Sequence, residues 1–435
     1  MKRTIYNELI KWKLSKSRKP LIMYGARQVG KTYILKRFGE KEYSNLVYLN
    51  CYKNEMMEKL FEQDADAKRI LLGLAALSNQ TIKESETLVF LDEIQEIPNI
   101  ISTLKYFCED LPGIHIVVAG SLLGVMNMKG QSFPVGKVDI MRMLPMSYHE
   151  FLVAKGEDGL AGLLQSQDYG MMDVFAEKYT EMLRQYYFVG GMPEAVSHFC
   201  QTNDLIGVRQ IQKNILTAYE TDISKHTGND TQRIRMVWDS IPSQLAKENK
   251  KFIYGAVRKG ARAKDFEIAI QWLIDAGLVY KVERTKEARM PLKFYADANV
   301  FKLYLLDVGL LGAMTDTSAA LMLIDNSAFT EYKGAFTENY VLQQLKTIND
   351  MPVYYYSKEN STLEIDFIVQ TATTVHPVEV KAEENVKAKS LSTFVNNDCK
   401  GMNIKGVRLS MKGYADQEWM VNVPLYAARE FFLGT

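Results

Sequence analysis

A short glycine-rich segment carries the strongest chemical signal in this sequence. Residues 25–32 read Gly25-Ala26-Arg27-Gln28-Val29-Gly30-Lys31-Thr32, which fits the spacing G-x-x-x-x-G-K-[ST]. Glycines let a backbone turn its N–H groups inward around an anion, and the positive dipole end of a following helix adds to the attraction. The pattern therefore predicts a P-loop, in which Lys31 reaches the β- and γ-phosphates of ATP and Thr32 offers its hydroxyl to Mg²⁺.

The flanking residues predict the elements that such a loop requires. Residues 20–24 form a short run typical of a buried strand, and Ile34, Leu35 and Phe38 recur at helical spacing. Strand, loop and helix in this order are the context in which the motif binds phosphates. We predict that residues 25–32, together with Tyr33, make the nucleotide contacts.

A second apolar run ends in two carboxylates. Residues 87–91 are Thr87-Leu88-Val89-Phe90-Leu91, and Asp92 and Glu93 follow directly. At the carboxyl end of a strand, Asp92 would hold Mg²⁺ through water, which is the Walker B arrangement. Glu93 would orient or deprotonate the attacking water. We therefore predict Glu93, Asp92 and Lys31 as the catalytic residues of an ATPase.

Further strands alternate with helices in the first 150 residues. Apolar runs lie at 45–51, 114–119 and 138–144. This alternation predicts an α/β domain with a parallel sheet covered on both faces. The arrangement resembles AAA ATPases, in which a polar residue after the third strand senses the γ-phosphate, and that strand lies between the two that carry the motifs. The resemblance implies that Ser121 has this role.

The last third of the chain predicts a separate unit. A helix at 331–346, strands at 353–357, 363–370 and 374–382, a helix at 390–397 and a strand at 405–411 give the order αβββαβ. Asp366 lies on the second of these strands, and Glu379 and Lys381 share one face of the third. Asp366 and Glu379 are candidates for a shared Mg²⁺, with Lys381 positioning water and Glu338 completing the cluster. The alternative is a hairpin whose charged residues face water.

Composition excludes several classes of protein. Of the 435 residues, 47% are hydrophobic and 24% charged, and the formal net charge is +1. These values are typical of globular domains and argue against coating nucleic acid by bulk charge. The four cysteines, Cys51, Cys108, Cys200 and Cys399, are too far apart for a CxxC site, which favours a reducing compartment. With an early polar N-terminus and no apolar run of about 20 residues, we predict a cytoplasmic protein without a membrane partner.

Four motifs in a fixed order resemble one family. Beside the two motifs above, which end in Leu91-Asp92-Glu93-Ile94-Gln95, they are Leu144-Pro145-Met146-Ser147-Tyr148-His149-Glu150-Phe151-Leu152 and Gly190-Gly191-Met192-Pro193-Glu194-Ala195. From about residue 4 to 430 the chain resembles prokaryotic AAA-type ATPases with a C-terminal domain of unknown function. The resemblance implies that this last domain has the PD-(D/E)XK restriction-endonuclease fold.

One position departs from this family. The family often has Gly-Arg shortly before the third motif, whereas this chain has Gly136-Lys137. Lysine cannot bind two phosphate oxygens at once as an arginine guanidinium does. This position therefore lacks the side chain that an arginine finger requires, and that a ring-shaped oligomer relying on such a finger would also require. For the nearby Arg142 two alternatives remain, a nucleotide contact and a solvated strand residue.

The middle of the chain predicts two helical regions. Helices at 178–187 and 205–219, separated by the Gly190–Pro193 break, resemble the family's helical lid, and the aromatic run Tyr186-Tyr187-Phe188 is predicted to be core. From 230 on, three helices and two strands follow in winged-helix order. A basic cluster there contacts DNA backbone or forms the solvated rim of a connector. Its members are Lys250, Lys251, Arg258, Lys259, Arg262 and Lys264.

The sequence thus predicts four domains: an AAA-type P-loop domain at 1–150, a helical lid at 151–229, a winged-helix-like domain at 230–312 and a nuclease-like domain at 325–435. The predicted function is ATP hydrolysis that drives or gates action on a partner through the C-terminal nuclease-like domain, with double-stranded DNA as the first candidate. The alternative is a nucleotide-gated switch whose catalytically inactive C-terminal domain contacts a protein partner. The oligomeric state is left open.

Overall fold

The computed structural model describes residues 1–63, 66–97, 99–121, 133–225, 229–323, 330–348, 351–382 and 388–434. Contacts divide the chain into two compact units. The N-terminal unit comprises Lys2–Leu144 with Asp275–Gly277, and the C-terminal unit comprises Pro145–Ile274 and Leu278–Thr435 with Met1.

Five parallel strands form the sheet that the described residues of the N-terminal unit contain. Their order is β2-β3-β4-β1-β5, so β4 lies between β1 and β3, as the resemblance to AAA ATPases implied. Strands β3 and β4 are buried along their whole length. The elements are α1 (Ile5–Leu14), β1 (Leu21–Tyr24), α2 (Lys31–Glu42), β2 (Asn45–Asn50), α3 (Glu55–Gln63), α4 (Ala67–Ser78), β3 (Thr87–Asp92), α5 (Asn99–Asp110), β4 (His115–Gly120) and β5 (Asp139–Arg142).

The register of this sheet aligns the carboxyl ends of three strands. Tyr24 pairs with Gly120, and Asp92 pairs with Ala119. Beneath them, branched and aromatic side chains such as Val89, Leu91 and Phe107 form the core between sheet and helices. Residues that directly follow β1, β3 and β4 therefore lie along one edge, which is where α/β sheets bind ligands.

The C-terminal unit begins with helices. The aromatic run Tyr186-Tyr187-Phe188 is buried, which confirms the prediction that it is core. Ser147 and Glu150 form a capping box that starts the first of these helices. The helices up to residue 275 are α6 (Tyr148–Lys155), α7 (Asp158–Ser166), α8 (Tyr169–Val174), α9 (Ala176–Val189), α10 (Pro193–Thr202), α11 (Leu205–Ser224), α12 (Asn229–Leu245), α13 (Tyr254–Val257) and α14 (Ala263–Asp275).

The remaining elements include the predicted αβββαβ order, with additional strands and a helix at the end. Eight strands in the described part of this unit form one sheet, in the order β12-β13-β11-β10-β9-β8-β6-β7. The elements are β6 (Val279–Thr285), β7 (Ala296–Leu305), α15 (Val308–Met314), α16 (Ala319–Leu323), α17 (Thr330–Lys346), β8 (Val353–Ser357), β9 (Glu364–Gln370), β10 (Val375–Val380), α18 (Lys389–Thr393), β11 (Gly406–Ser410), β12 (Ala415–Asp416), β13 (Met420–Pro424) and α19 (Ala428–Leu433).

This sheet joins the two segments that the sequence predicted as winged-helix-like and nuclease-like. Hairpin β6–β7 follows three helices as expected, but β6 also pairs in parallel with β8. In addition, Ala288 and Leu292 of the hairpin connection are buried in one core cluster with Ile365 and Phe394. The predicted boundary between residues 312 and 325 therefore falls inside a continuous sheet and core.

The third and fourth motifs meet at a buried aspartate. Asp307 accepts hydrogen bonds from the backbone N–H of Gly191 at 2.6 Å and from Nε2 of Gln343 at 2.8 Å. The N–H of Met146 in turn donates to the carbonyl of Gly191 at 2.7 Å. A Cβ on Gly190, where φ is +72°, would lie 2.1 Å from the Asp307 carboxylate. Glycine is required there because the backbone passes directly against this carboxylate, so the motif has a structural role.

Candidate functional site

The predicted phosphate-binding and Walker B residues come together in the N-terminal unit. Thr32, at the start of α2, donates a hydrogen bond from Oγ1 to Oδ2 of Asp92 at 2.7 Å. The hydroxyl of Tyr48 donates to the same carboxylate oxygen at 3.4 Å. Asp92 is only 3% exposed, at the carboxyl end of β3. A hydroxyl and a carboxylate held this close form the oxygen pair that Mg²⁺ takes in nucleotide sites.

Residues 25–32 form the loop between β1 and α2. Gly30 has φ +95° and stands at the N-cap of α2, so the helix points its free N–H groups toward the loop. A Cβ on Gly25 would lie 2.2 Å from the carbonyl oxygen of Met143, so that position admits only glycine. Gln28 also has a positive φ of 64°. The loop thus has the curvature of an anion nest. Ala26, Arg27 and Val29 lie within it and Tyr33 lies in the first turn of α2, and the nucleotide contacts of these four residues stay a prediction.

Lys31 lies among carbonyl groups at the centre of this loop. Its Nζ donates to the carbonyls of Gly25 at 3.0 Å and of Ala26 at 2.9 Å. Burial lowers the pKa of Lys31 to about 8, although Glu93 and Asp92 oppose the shift. Burial likewise raises the pKa of Asp92, while the hydrogen bond from Thr32 counteracts this. Both shifts indicate that the charged forms of Lys31 and Asp92 are poorly solvated. A bound magnesium nucleotide would stabilise both charges, the ammonium through its phosphates and the carboxylate through its metal.

Glu93 follows β3 in a left-handed conformation with φ +56°. Its N–H donates to Oδ1 of Asp92 at 3.1 Å, and both residues lie at the carboxyl edge of the sheet. Nε2 of Gln95 donates to Glu93, a contact that orients the carboxylate. The sequence predicted no role for Gln95; a side-chain amide two positions beyond Glu93 is the signal that could have indicated one.

Ser121 directly follows Gly120, the last residue of β4, which pairs with Tyr24 just before the P-loop. It therefore lies at the edge that carries the other predicted nucleotide residues, and its sensing role stays a prediction. Arg3 was not predicted at all. It donates to the carbonyls of Val29 at 3.1 Å and Leu144 at 2.6 Å, and so ties the P-loop to the end of the N-terminal unit.

The position that departs from the family is occupied by an ion pair. Nζ of Lys137 lies 2.7 Å from Oε1 of Glu109 on α5, and both side chains are about half exposed. Arg142 is exposed on the edge strand β5. The described contacts give Lys137 a surface partner away from the P-loop residues.

Two of the predicted C-terminal site residues lie close together. Oδ2 of Asp366 accepts a hydrogen bond from the N–H of Val380 at 2.8 Å, and register places Glu379 opposite Asp366, one step beyond the last pair. Glu379 is 5% exposed, and its Oε1 pairs with Lys381 at 2.8 Å. Its Oε2 is buried and has no hydrogen-bond partner among the residues that the structure describes. Burial and the charge of Glu338 raise the pKa of Asp366 to about 7.

Glu338 reaches this site from α17, but it is already paired. Its Oε1 lies 2.8 Å from Nζ of Lys250, and its Oε2 accepts from the hydroxyl of Tyr304 at 2.9 Å. Nζ of Lys302 lies 2.5 Å from Glu364 on the same strand as Asp366. Although burial opposes it, the two lysines together lower the pKa of Glu338. Within the described ranges, no group of three or more His, Cys, Asp or Glu side chains is arranged to hold a metal ion.

The predicted basic cluster of the middle segment divides into two parts. Lys250 is turned inward and pairs with the buried carboxylate of Glu338, which corrects its assignment to a DNA-facing or solvated surface. A buried carboxylate needs an opposite charge beside it, and Lys250 supplies that charge. The others are exposed, namely Lys251, Arg258, Lys259, Arg262 and Lys264.

As for membranes, none of the helices that the structure describes combines the length and apolar character that a crossing needs.

Comparison with known proteins divides the chain into three segments. Residues 17–152 match a family described as "AAA domain". Residues 180–321 and 333–426 match two families that are each described as a domain of unknown function, DUF8612 and DUF4143. No curated protein sequence matches the chain. The family match and the P-loop geometry agree on an AAA-type ATPase domain in the first third.

Three solved structures resemble most of the chain at low identity. The Walker-type ATPase PABY2304 of Pyrococcus abyssi is 13% identical, with a TM-score of 0.46, over 72% of this chain and 95% of that one. The Aeropyrum pernix ORC1 protein in complex with DNA is 12% identical, with a TM-score of 0.30, over 74% and 92%. Cdc6p from Pyrobaculum aerophilum is 11% identical, with a TM-score of 0.24, over 73% and 94%. These scores are too low to carry an argument about activity.

Proposed function

We propose that the N-terminal unit binds ATP with Mg²⁺ and hydrolyses it. The observation that carries this proposal is the 2.7 Å hydrogen bond between Thr32 and Asp92, because it joins the two motifs at one point. When bound, the metal would neutralise charge that develops on the phosphates. Thr32 and Asp92 would hold it, Lys31 would move from its carbonyl partners to the phosphates, and Glu93 would orient the attacking water. Ser121 would sense the γ-phosphate from the end of β4.

The test is steady-state ATP hydrolysis beside nucleotide binding. Glu93→Gln is expected to lower the turnover rate at least 100-fold with ATP affinity retained, since general-base catalysis contributes about 10²–10⁴. Lys31→Ala is expected to abolish ATP binding. Glu96→Gln is the matched control, because Glu96 is an exposed carboxylate three positions further along. Wild-type turnover by the Glu93 variant would refute the assignment.

We further propose that the partner is double-stranded DNA, contacted by the exposed basic side chains of residues 251–264. Their density on one segment supports the proposal, since cationic groups release counterions from phosphates. Duplex DNA is expected to stimulate ATP turnover, and Arg258→Glu with Lys259→Glu to remove the stimulation and flatten its salt dependence. Lys68→Glu with Arg69→Glu, two exposed basic neighbours on α4, is the control.

The alternative is a nucleotide-gated switch with a catalytically inactive C-terminal domain that contacts a protein. One observation favours it: lysine side chains already accompany the carboxylates that the nuclease-like site would use. Slow turnover that is indifferent to DNA would support this alternative. DNA cleavage that disappears in Asp366→Ala would exclude it.

A further inference from the structure

The buried carboxylates of the C-terminal sheet share their space with two ammonium groups. Lys302 is fully buried, and its Nζ lies 2.5 Å from Glu364. The side chain of Lys250 is 13% exposed, and its Nζ lies 2.8 Å from Glu338. Asp366 interacts electrostatically with both lysines and with Glu338. Removing so many charges from water is tolerated only when each has an opposite partner nearby.

The two lysines together bring the charge of one divalent cation. They come from different parts of the unit: Lys302 from the middle of β7, and Lys250 from the connection between α12 and α13. Lys302 is fixed by its strand, whereas Lys250 is placed by a loop. Of the two, Lys250 is therefore the one that a change in loop conformation can withdraw.

The loop adopts an uncommon conformation at Lys250. Its φ is +48°, in the left-handed region that residues other than glycine seldom occupy. Two residues on, the N–H of Phe252 donates to the carbonyl of Phe301 at 2.9 Å, which anchors the loop to β7. The neighbouring Lys251 is exposed. The backbone thus turns one of two adjacent lysines inward, and the ion pair with Glu338 compensates for the conformation.

A buried oxygen beside this site indicates that the carboxylates are not saturated. Glu379, which register places opposite Asp366, has its Oε2 buried without a hydrogen-bond partner in the described residues. A buried carboxylate oxygen in this state is expected to accept a cation or a donor. The ammonium of Lys250 pairs with Glu338 and that of Lys381 with the other oxygen of Glu379, which leaves Oε2 of Glu379 to be satisfied.

We infer that Lys250 is a built-in cation that closes the C-terminal carboxylate site, so that Glu338 and Asp366 become available to a divalent metal only after Lys250 has left. The inference concerns the carboxylate site that the sequence predicted in the C-terminal segment, and it is independent of ATP hydrolysis. It makes the loop between α12 and α13 an autoinhibitory element of that site.

The test is Mn²⁺ binding to the full chain without nucleotide. The electron paramagnetic resonance signal of free Mn²⁺ measures how much metal stays unbound. All proteins carry Asp92→Asn, so that the ATP site contributes nothing. Lys250→Met is expected to gain about one Mn²⁺ site per chain, at least tenfold tighter than any in the parent. Lys251→Met, the adjacent exposed lysine, is expected to bind like the parent. Adding Glu338→Gln to Lys250→Met is expected to abolish the new site.

Two outcomes would overturn the inference. One is a folded Lys250→Met protein, by its thermal transition, that binds no more Mn²⁺ than the parent. The other is a parent that already binds one Mn²⁺ as tightly as the variant and loses it with Glu338→Gln.

A second measurement needs no variant at position 250. Reductive methylation of the wild-type chain, read by mass spectrometry, is expected to modify Lys251 at least tenfold faster than Lys250. Saturating Mn²⁺ is expected to reduce that difference. Equal labelling of the two lysines in the absence of metal would show that Lys250 is not held in the site.

Discussion

Replacing Asp307 with alanine is expected to destabilise the C-terminal unit by about 4 kcal/mol. The carboxylate accepts hydrogen bonds from the N–H of Gly191 at 2.6 Å, from Nε2 of Gln343 at 2.8 Å and from the N–H of Leu310 at 3.1 Å. The first two donors are buried and would lose their partner, at about 1–3 kcal/mol each. The third is the N-cap contact of α15, for which about 1 kcal/mol is typical.

The expected loss lies in the lower half of the range that these contributions add up to, for a physical reason. Burial raises the pKa of Asp307, so the ionised carboxylate is itself poorly solvated, and alanine removes this penalty together with the hydrogen bonds. For a unit of this size, roughly 2 °C accompany each kcal/mol, which predicts a fall of about 8 °C in the melting temperature.

Thermal unfolding of the full chain, followed by tryptophan fluorescence, measures this effect. The control is Asp416→Ala, since the side chain of Asp416 is 57% exposed and pairs with the partly exposed Lys405. Its melting temperature should match the wild type. A loss below about 1 kcal/mol for Asp307→Ala would mean that water reaches the three donors, and the reasoning from a closed polar centre would be wrong.

Three further predictions test other parts of the chain. Gly190→Ala should lower the melting temperature at least as much as Asp307→Ala does, because the new Cβ would clash with the Asp307 carboxylate. Gly162 lies on α7 with open space around it, so Gly162→Ala should raise the free energy of unfolding by about 0.5–1 kcal/mol. Burial lowers the pKa of His115 to about 4, so the unfolded chain takes up a proton at a higher pH than the folded chain does. The free energy of unfolding should therefore fall by up to about 3 kcal/mol as the pH is lowered from 6.5 to 4. Melting curves recorded across this range should show a smaller loss for His115→Gln. Lys137→Ala should change ATP turnover less than about twofold, since its partner is the exposed Glu109 and a lysine lacks the fork of an arginine finger; a tenfold fall would make Lys137 catalytic.

The loop and strands of the proposed nucleotide site were predictable because short segments of sequence determine their geometry. The spacing of Gly25, Gly30 and Lys31 dictates a loop, and the apolar run before Asp92 dictates a strand that ends at the carboxylates. Parallel strands then bring these ends to one edge of the sheet whatever the loops between them do. The contact between Thr32 and Asp92 follows from these local rules, although 60 positions separate the two residues.

The buried polar contacts of the C-terminal unit could not be predicted from short segments of sequence. Asp307 meets Gly191 across 116 positions, and no local pattern marks either as a partner of the other. Lys250 looked like a member of a basic surface, because lysine is almost never buried without a partner, and its partner Glu338 lies on a helix that belongs to another predicted domain. Long-range pairing decided both positions, and a single sequence carries little information about it.

The shared sheet has a consequence for how this protein can change over generations. Residues 180–321 and 333–426 match separate families, yet β6 from the first pairs with β8 from the second, and the hairpin connection fills the core of the last segment. An exchange of only one of these segments would leave an open strand edge and an uncovered apolar surface, both of which promote aggregation. The boundary between the two family matches is therefore not a position at which one segment can be replaced alone. We expect the two segments to be inherited together.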